Sequence, residues 1–417
     1  MVVAKQHLSS YLIVMKYIFL LITLVTWSSL LAAETRHYRL SVDKHNWETL
    51  LKNKWSNEYV ACDISSAELS SICKIRVHGG ISRKYPKLSF RVILPSGSPK
   101  LSYSRKITLK SDFGDGTYLR NYLTFKLFEN LTNIPTPKAQ LSYLWVNNSP
   151  YGLMLDIEKI GKKFLDSRKM SEGSLLFRSD PTGELYKNGA GNLIPLPNES
   201  MYVLAYKHIG EAKKYPDVLI NLIDGLWESF TKNEPSFVPD SFDVDDVVDF
   251  LAIMGIVQNF DYSKKNYYLL KRNGKFRLLP WDLDQTWGCL WDSVNSDSIC
   301  DEFFYNKPHK TGHRKDELIS VYPNQRDFNL LYQIVWSDPA LSKMVQNRIC
   351  DFLDSKYWNE RLLLEAKKMK QDILPFLKKQ ADPKNRYDSV SSYISGFEEI
   401  LSFHKLRAKY LKRKLCL

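Results

Sequence analysis

The sequence predicts an α+β chain in two parts, a β-rich stretch over 34–162 and a mainly helical one over 163–417. Three observations predict it. Between 36 and 110, YRLSV, CKIRV, LSFRVIL and RKITLK are short runs of β-branched and aromatic residues broken by Gly, Pro and Ser, which is the pattern of strands. From about 325 onward apolar residues recur at helical spacing, through 340–379 and 392–415. Between these regions, YYLLK and KFRLLP flank Asn273-Gly274, the strongest short-range signal for a hairpin.

In chain order, the N-terminus reads as a secretory signal over 1–33. Lys16 precedes an apolar run, Tyr17–Leu31, and Ala32-Ala33 follow it, with Met15 a more typical start than Met1. The run is shorter than the ~20 residues that cross a bilayer comfortably. A membrane contact is therefore expected only if this segment stays uncleaved, and the destination is secreted or periplasmic. Six cysteines fit an oxidising destination. Cys62 and Cys73 bracket a short segment, as do Cys289 and Cys300, and local disulfides are expected there; Cys350 and Cys416 lie in predicted helices. After the strands, 117–131 takes helical spacing through Leu119, Leu123, Leu127 and Leu131. Two strands follow, 141–147 and 152–158, joined by Asn-Asn-Ser-Pro. Sheet, helix, sheet is the order of a protein-kinase small lobe. A helix is expected near 215–231. Asp243 is an N-cap, and Val244, Val247, Val248, Leu251 and Met254 give the next helix an apolar face.

That helix delivers the chemistry. Asp261 ends the helical pattern and Asn266 follows five positions later. The hairpin comes next, and Asp282 and Asp284 close it. Protein kinases use this order: base, metal-binding asparagine, hairpin, metal-binding aspartate. The physical reason is the charge of a nucleoside triphosphate. Mg²⁺ must bridge its outer phosphates, and Mg²⁺ takes hard oxygen ligands, usually one or two carboxylates plus substrate oxygens. A short hairpin folds Asp282 back beside Asn266, with Asp284 a second ligand or a carboxylate holding the loop. Asp261, at the unfavourable negative end of a helix dipole, faces the incoming hydroxyl as base or positioner.

Several segments resemble one family. N-x-D-x4-K-N-Y-Y followed by P-W-D-x-D-x-x-x-G over 259–288 is similar to the CotH (spore-coat protein H) kinase family. So are HGGISRKYPKLSFRV at 78–92, through Gly79, Ser82, Arg83, Pro86, Lys87, Ser89 and Phe90, then GTYLRNYLTFKLFENL at 116–131 and YLWVNNSPYGLMLDIEKIGKKFL at 143–165. His78, Gly80, Leu88 and Gly161 depart from the residues usual there. The resemblance implies a two-lobed protein-kinase-like fold, with a small β-rich lobe over 34–162 and a large helical lobe over 163–417. It implies an exported atypical kinase that uses ATP and Mg²⁺ to phosphorylate Ser or Thr hydroxyls of a protein substrate. A catalytically silent surface-binding protein or adhesin is the other class it admits. Asp261 would be catalytic and Asn266, Asp282 and Asp284 metal ligands. Lys87 would reach the phosphates from its strand, and Gly79, Ser82 and Arg83 would form a phosphate turn. Glu158 would touch nucleotide or pair with Lys87.

A formal charge of +13 favours acidic partners such as nucleotides, acidic proteins or anionic membranes. No zinc spacing or nucleic-acid motif accompanies that charge, so nucleic acid is not an expected partner.

Overall fold

The computed structural model describes residues 35–416, apart from 68, 100, 184, 186–187, 210–215, 260, 263–264, 293–296, 301–328 and 380–389; of 289–292, 297–300, 378–379 and 392 it describes the backbone alone. The signal segment expected over 1–33 lies outside the described residues. From His37 to Leu417 the chain clusters as one compact unit.

The fold mixes α and β. Seven strands close into a barrel: β1 (Arg36–Ser41), β2 (Val60–Ser66), β3 (Leu69–His78), β4 (Ser89–Ile93), β5 (Lys106–Lys110), β6 (Ala139–Val146) and β7 (Ser149–Ile157), in the order β1-β2-β3-β4-β5-β7-β6. Alternation along the strands fills it. Ile75 and Val77 of β3, Phe90 and Val92 of β4 and Ile107 and Leu109 of β5 point into the barrel core with Tyr38, Ile64 and Met154. The intervening residues, Arg76 and His78, Ser89 and Arg91, Thr108 and Lys110, form the opposite face. The order of strands, helix and strands is the one expected from the sequence, and the closure of all seven strands into one barrel goes beyond it. The helix α1 (Lys44–Lys52) follows β1, capped by the Asp43 side chain. The expected helix forms as α2 (Arg120–Leu131), but Tyr122, Phe125, Leu127 and Phe128 pack into the larger, second core instead of the barrel.

The β6–β7 turn is tighter than expected. Asn147 and Asn148, at φ 50° and 65°, make the whole connection, which is the left-handed pair that a two-residue hairpin demands. The Asn147 side chain also bonds Val42 N and O at 2.8 and 2.9 Å, tying the hairpin to the end of β1. Leu153, Leu155 and Ile157 of β7 face the second core, so one strand serves both.

After the short α3 (Lys162–Asp166), a second sheet runs β11-β10-β8-β9, from β8 (Leu175–Ser179), β9 (Tyr206–His208), β10 (Tyr267–Arg272) and β11 (Lys275–Pro280). Helix α4 (Glu199–Ala205) precedes β9, and α5 (Pro216–Lys232), as expected near 215–231, and α6 (Phe237–Ser241) lead to α7 (Val244–Val257). Helix α7 is the axis of the larger core. Asp243 caps it by accepting from Asp246 N, and every residue from Asp246 to Val257 is buried. Its two buried carboxylates are paired, Asp246 with Arg277 of β11 and Asp249 with Arg348. Burying each of its Leu, Ile, Val and Phe side chains is worth about 1.5–3 kcal/mol of transfer free energy. Gln258, left-handed at φ 51°, then stops the helix, releasing the chain toward Asp261.

A two-stranded ribbon, β12 (Cys289–Asp292) and β13 (Asp297–Cys300), sets Cys289 opposite Cys300 in register; their side chains, and so the expected bond, lie outside those described. Four further α-helices among the described residues are α8 (Leu330–Ser337), α9 (Pro339–Asp354), α10 (Leu362–Lys379), which a π-helical turn at Tyr357–Arg361 precedes, and α11 (Val390–Leu415). Cys62 is bonded to Cys73 across β2–β3, as the sequence predicts, and Cys350 of α9 is bonded to Cys416 just past α11. Among the described residues no helix is long and apolar enough to cross a membrane.

Candidate functional site

The β10–β11 hairpin forms as its sequence dictates, with Asn273 and Gly274 at φ 51° and 82°. Its register sets Tyr267 against Pro280, so the residues flanking the hairpin, Asn266 and Trp281, come together. Trp281 N donates to Asn266 O at 3.1 Å. Asn266 is thus bonded to the residue that precedes Asp282, and both Asn266 and Asp282 are left-handed, at φ 66° and 58°. A non-glycine residue in that region is uncommon, and such backbone collects at functional sites.

Asp261 joins them. Its N–H donates to Asn259 Oδ1 at 2.8 Å, fixing the turn after α7. Asn266 Nδ2 donates both to the Asp261 carbonyl and to its Oδ2, each at 2.9 Å. Among the described residues the amide oxygen of Asn266 has no hydrogen-bond partner. Lys265 Nζ lies 3.3 Å from Asp261 Oδ2. Burial raises the Asp261 pKa above the ordinary carboxylate range; Lys265 offsets part of this and the Asp282 charge adds to it. A raised pKa makes a better proton acceptor.

The acidic loop is centred on one lysine that sequence reasoning missed. Lys110, last residue of β5, pairs with Asp282, with Asp284 at 3.1 Å and with Asp112 at 3.0 Å. Its pKa is held well above the ordinary value: burial works the other way, but the three carboxylates outweigh it. Burial would likewise push Asp282 up, but Lys110, with Lys265 and Arg178 beyond, keeps it low. Asp284 goes up to about 7, through burial first and then the Asp282 and Asp112 charges, against the pull of Lys110. Asn121 of α2 holds the loop in place. It donates to Asp112 at 3.2 and 3.3 Å and accepts from Leu283 N at 2.8 Å. Trp287 anchors the far end, bonding Thr124 Oγ1 through Nε1 and Val257 O through N.

The expected phosphate-turn residues are placed differently. Lys87 is buried and donates to the Tyr118 hydroxyl at 2.5 Å, with its ammonium 4.9 Å from that ring; no ion pair joins it to Glu158. Glu158 instead takes a two-pronged bond from Arg168, at 2.8 and 3.1 Å, so the pairing with Lys87 is corrected. Arg83 is directed at protein backbone: it donates to the carbonyls of Gly79, Lys54, Trp55 and Ser56 and to Asn57 Oδ1, between 2.7 and 3.2 Å. Gly79, at φ 118°, lies so close to Ser82 that a Cβ would stand 2.1 Å from its Oγ. Gly79, Ser82 and Arg83 therefore build and pin a turn. What that turn carries to the site is Tyr85, stacked on Phe113 at 5.1 Å. Burial pushes its hydroxyl up to about 12, and the Asp284 charge contributes.

Asp112 and Lys110 sit in RKITLKSDFGD, where a strand run ends in Lys, Ser and Asp. That juxtaposition of opposite charges, before a motif already singled out, was the available signal. Asn121 lay inside a quoted motif without a role.

Among the described residues no three His, Cys, Asp or Glu side chains converge as a preformed metal cage. The donors nevertheless fit Mg²⁺, which needs only one or two carboxylates and completes its shell from substrate and water. Asp282 and Asp284 share one lysine with Asp112, an excess of negative charge, and the Asn266 oxygen lies on the residue that Trp281 joins to Asp282.

The site thus sets a carboxylate positioned by an asparagine next to an acidic loop that faces a strand lysine. The comparisons name the family: residues 75–411 match the profile of the CotH kinase protein, and the chain belongs to the CotH kinase family. A relative, inner spore coat protein H of Bacillus subtilis (strain 168), is 23% identical over 389 residues, which span 91% of this chain and 97% of the relative. Among solved structures, the Helicobacter pylori proinflammatory kinase CtkA aligns with 76% of this chain and 94% of its own at 9% identity; its TM-score of 0.28 is too low to define a shared fold.

Proposed function

We propose that this chain is an exported, Mg²⁺-dependent atypical protein kinase that moves the γ-phosphate of ATP to Ser or Thr hydroxyls of a protein, with the barrel as small lobe and the remainder as large lobe. One observation carries the reading: Asn266 bonds the Asp261 carboxylate through its amide and, through its carbonyl, receives the N–H of Trp281, the residue that precedes Asp282.

In this reading Asp261 accepts a hydrogen bond from the acceptor hydroxyl and takes its proton as the oxygen attacks the γ-phosphorus. The bond to the bridging oxygen breaks and ADP leaves. Lys265, 3.3 Å from Asp261, keeps that carboxylate oriented and adds positive charge where the transferring group passes. Lys110 supplies the cation that the phosphates meet from the barrel side, the role expected of Lys87. Asn266, Asp282 and Asp284 would hold Mg²⁺, which when bound neutralises phosphate charge. Catalysis here is mostly positioning and charge stabilisation.

Radiolabel transfer from γ-labelled ATP to a mixed protein acceptor tests this. Asp261→Asn should retain ATP binding and lose transfer by roughly 100-fold or more, the general-base range. Equal transfer by the variant removes Asp261 from the role.

A further inference from the structure

The chemistry at Lys110 occupies only one end of the barrel face that carries it. Next along that face stands a group of cations that the transfer step does not use. Arg91 of β4 lies opposite Thr108 in the β4–β5 register, and Lys110 follows Thr108 by two residues on the same face, roughly 7 Å along the strand. Arg76 of β3 is directly opposite Arg91. Like charges in that relation repel. Arg178 of β8 pairs in register with Tyr268 of β10, on the second sheet, and both feel the charge of Asp282.

Arg91 has no carboxylate partner among the described residues, whereas at Arg178 the Tyr268, Asp180 and Asp282 charges outweigh burial and hold the pKa above its ordinary value. Arg91 is 6% exposed, and its bond is to a neutral partner, His78 Nε2, at 3.1 Å. The Nε atoms of Arg91 and Arg178 are buried with no hydrogen-bond partner among the described residues. Asp180 sits 3.4 Å from Arg178 but is shared with Lys207 at 2.6 Å, and Asp282 is taken by Lys110. The Arg76 guanidinium turns aside to Asn57 Oδ1 and over the Tyr59 ring. Burial, followed by neighbouring guanidinium groups, pushes Lys159 down to about 8 and His78 well below its ordinary value, which keeps the imidazole a neutral acceptor for Arg91. Arg91 itself falls to about 10, through burial first, with Tyr268 and Tyr59 working against Arg76 and Arg178. Cations gathered at a cost to the folded state, with buried donors unmade, are arranged for something that arrives with negative charge.

We propose that Arg91 and Arg178, supported by His78, form an anion subsite beside the Lys110 centre that takes a phosphate group not being transferred. Arginine suits it because its planar fork meets phosphate oxygens two at a time. The phosphate comes from one of two sources: the part of the nucleotide that stays behind, or a phosphoryl group already on the protein substrate. The subsite deepens the kinase reading, since it borders the same centre, but its binding needs neither metal nor transfer.

The test uses the full chain, without divalent metal, titrated with inorganic pyrophosphate by calorimetry and followed by thermal melting. The parent should bind and melt higher. Arg91→Gln and Arg178→Gln should each bind at least tenfold more weakly. Arg178→Gln, less buried than Arg91, keeps the test open if Arg91→Gln fails to fold. Lys405→Gln, exposed on α11, should bind as the parent does. Competition identifies the source: displacement of pyrophosphate by ADP assigns the nucleotide, and displacement by a phosphoserine peptide assigns the substrate. No pyrophosphate binding by the parent, parent-like affinity in both arginine variants, or an equal loss in Lys405→Gln would each overturn the subsite. Intact pyrophosphate binding without any phosphotransfer would count against the kinase reading alone.

Discussion

Replacing Lys110 by Met removes the one ammonium that Asp112, Asp282 and Asp284 share. Methionine keeps the length and apolar body of the side chain, so the change is chiefly one of charge. Removing one partner of a buried ion pair costs about 3–5 kcal/mol. Asp282 is 35% exposed and Asp284 25%, so solvent screens part of the loss, and about 3 kcal/mol is the appropriate scale. Unfolding entropy of about 2.1 cal/mol/K per residue, over a compact unit of this size, turns that into a fall in melting midpoint of about 4 °C. Three carboxylates left together also bind cations better. Millimolar Mg²⁺ or Ca²⁺ should therefore raise the midpoint of Lys110→Met more than that of the parent. Differential scanning fluorimetry at neutral pH, with chelator and then with metal, reads both effects. A variant that melts with the parent and gains nothing extra from metal would refute Lys110 as the counter-charge of this loop.

Other parts of the molecule give further expectations. His404 stacks on Trp358 at 4.2 Å, and burial pushes its pKa down to about 4 although Trp358 O favours the charged ring. With the folded pKa below the unfolded ~6.5, its neutral form stabilises fully above that value, and the stability is lost as pH falls toward 4. His404→Phe should thus lose about 2–3 kcal/mol less than the parent between pH ~7.5 and ~4.5, by urea midpoints. The Cys350–Cys416 bond closes a separation of 66 residues, for which chain entropy gives about 4 kcal/mol; Cys350→Ser with Cys416→Ser should melt about 5 °C lower. Peptide mapping without reductant should recover Cys62 joined to Cys73, and free thiols there would contradict the bonded barrel strands.

What could be read from the sequence follows the range of the interactions. The hairpin, the Asp243 cap and the spacing of Asp261, Asn266 and Asp282 are local, and each carries its own chemistry: an Asn-Gly turn, an N-cap, a helix end followed by a tight return. The partner of the acidic loop is not local. Lys87 and Lys110 are both lysines bordering β runs, and only barrel closure decides that Lys110 faces Asp282 while Lys87 turns to Tyr118. The acceptors of Arg83 are likewise distant in sequence, backbone carbonyls of 54–56, which no side-chain pattern announces. Closure itself depends on β7 lying between β5 and β6, an order that alternation of apolar residues does not encode.

The most direct test of the phosphotransfer account is ATP affinity measured with and without Mg²⁺ for the parent, Asp282→Ala and Asp284→Ala. Asp282 follows the residue bonded to Asn266 and faces Lys110, and Asn266 and Asp282 both offer the oxygen atoms Mg²⁺ prefers. The account predicts tight binding by the parent only with Mg²⁺, loss of that dependence in Asp282→Ala, and a smaller loss in Asp284→Ala. Full Mg²⁺ dependence retained in Asp282→Ala, or ATP binding by the parent that is indifferent to the metal, would contradict it.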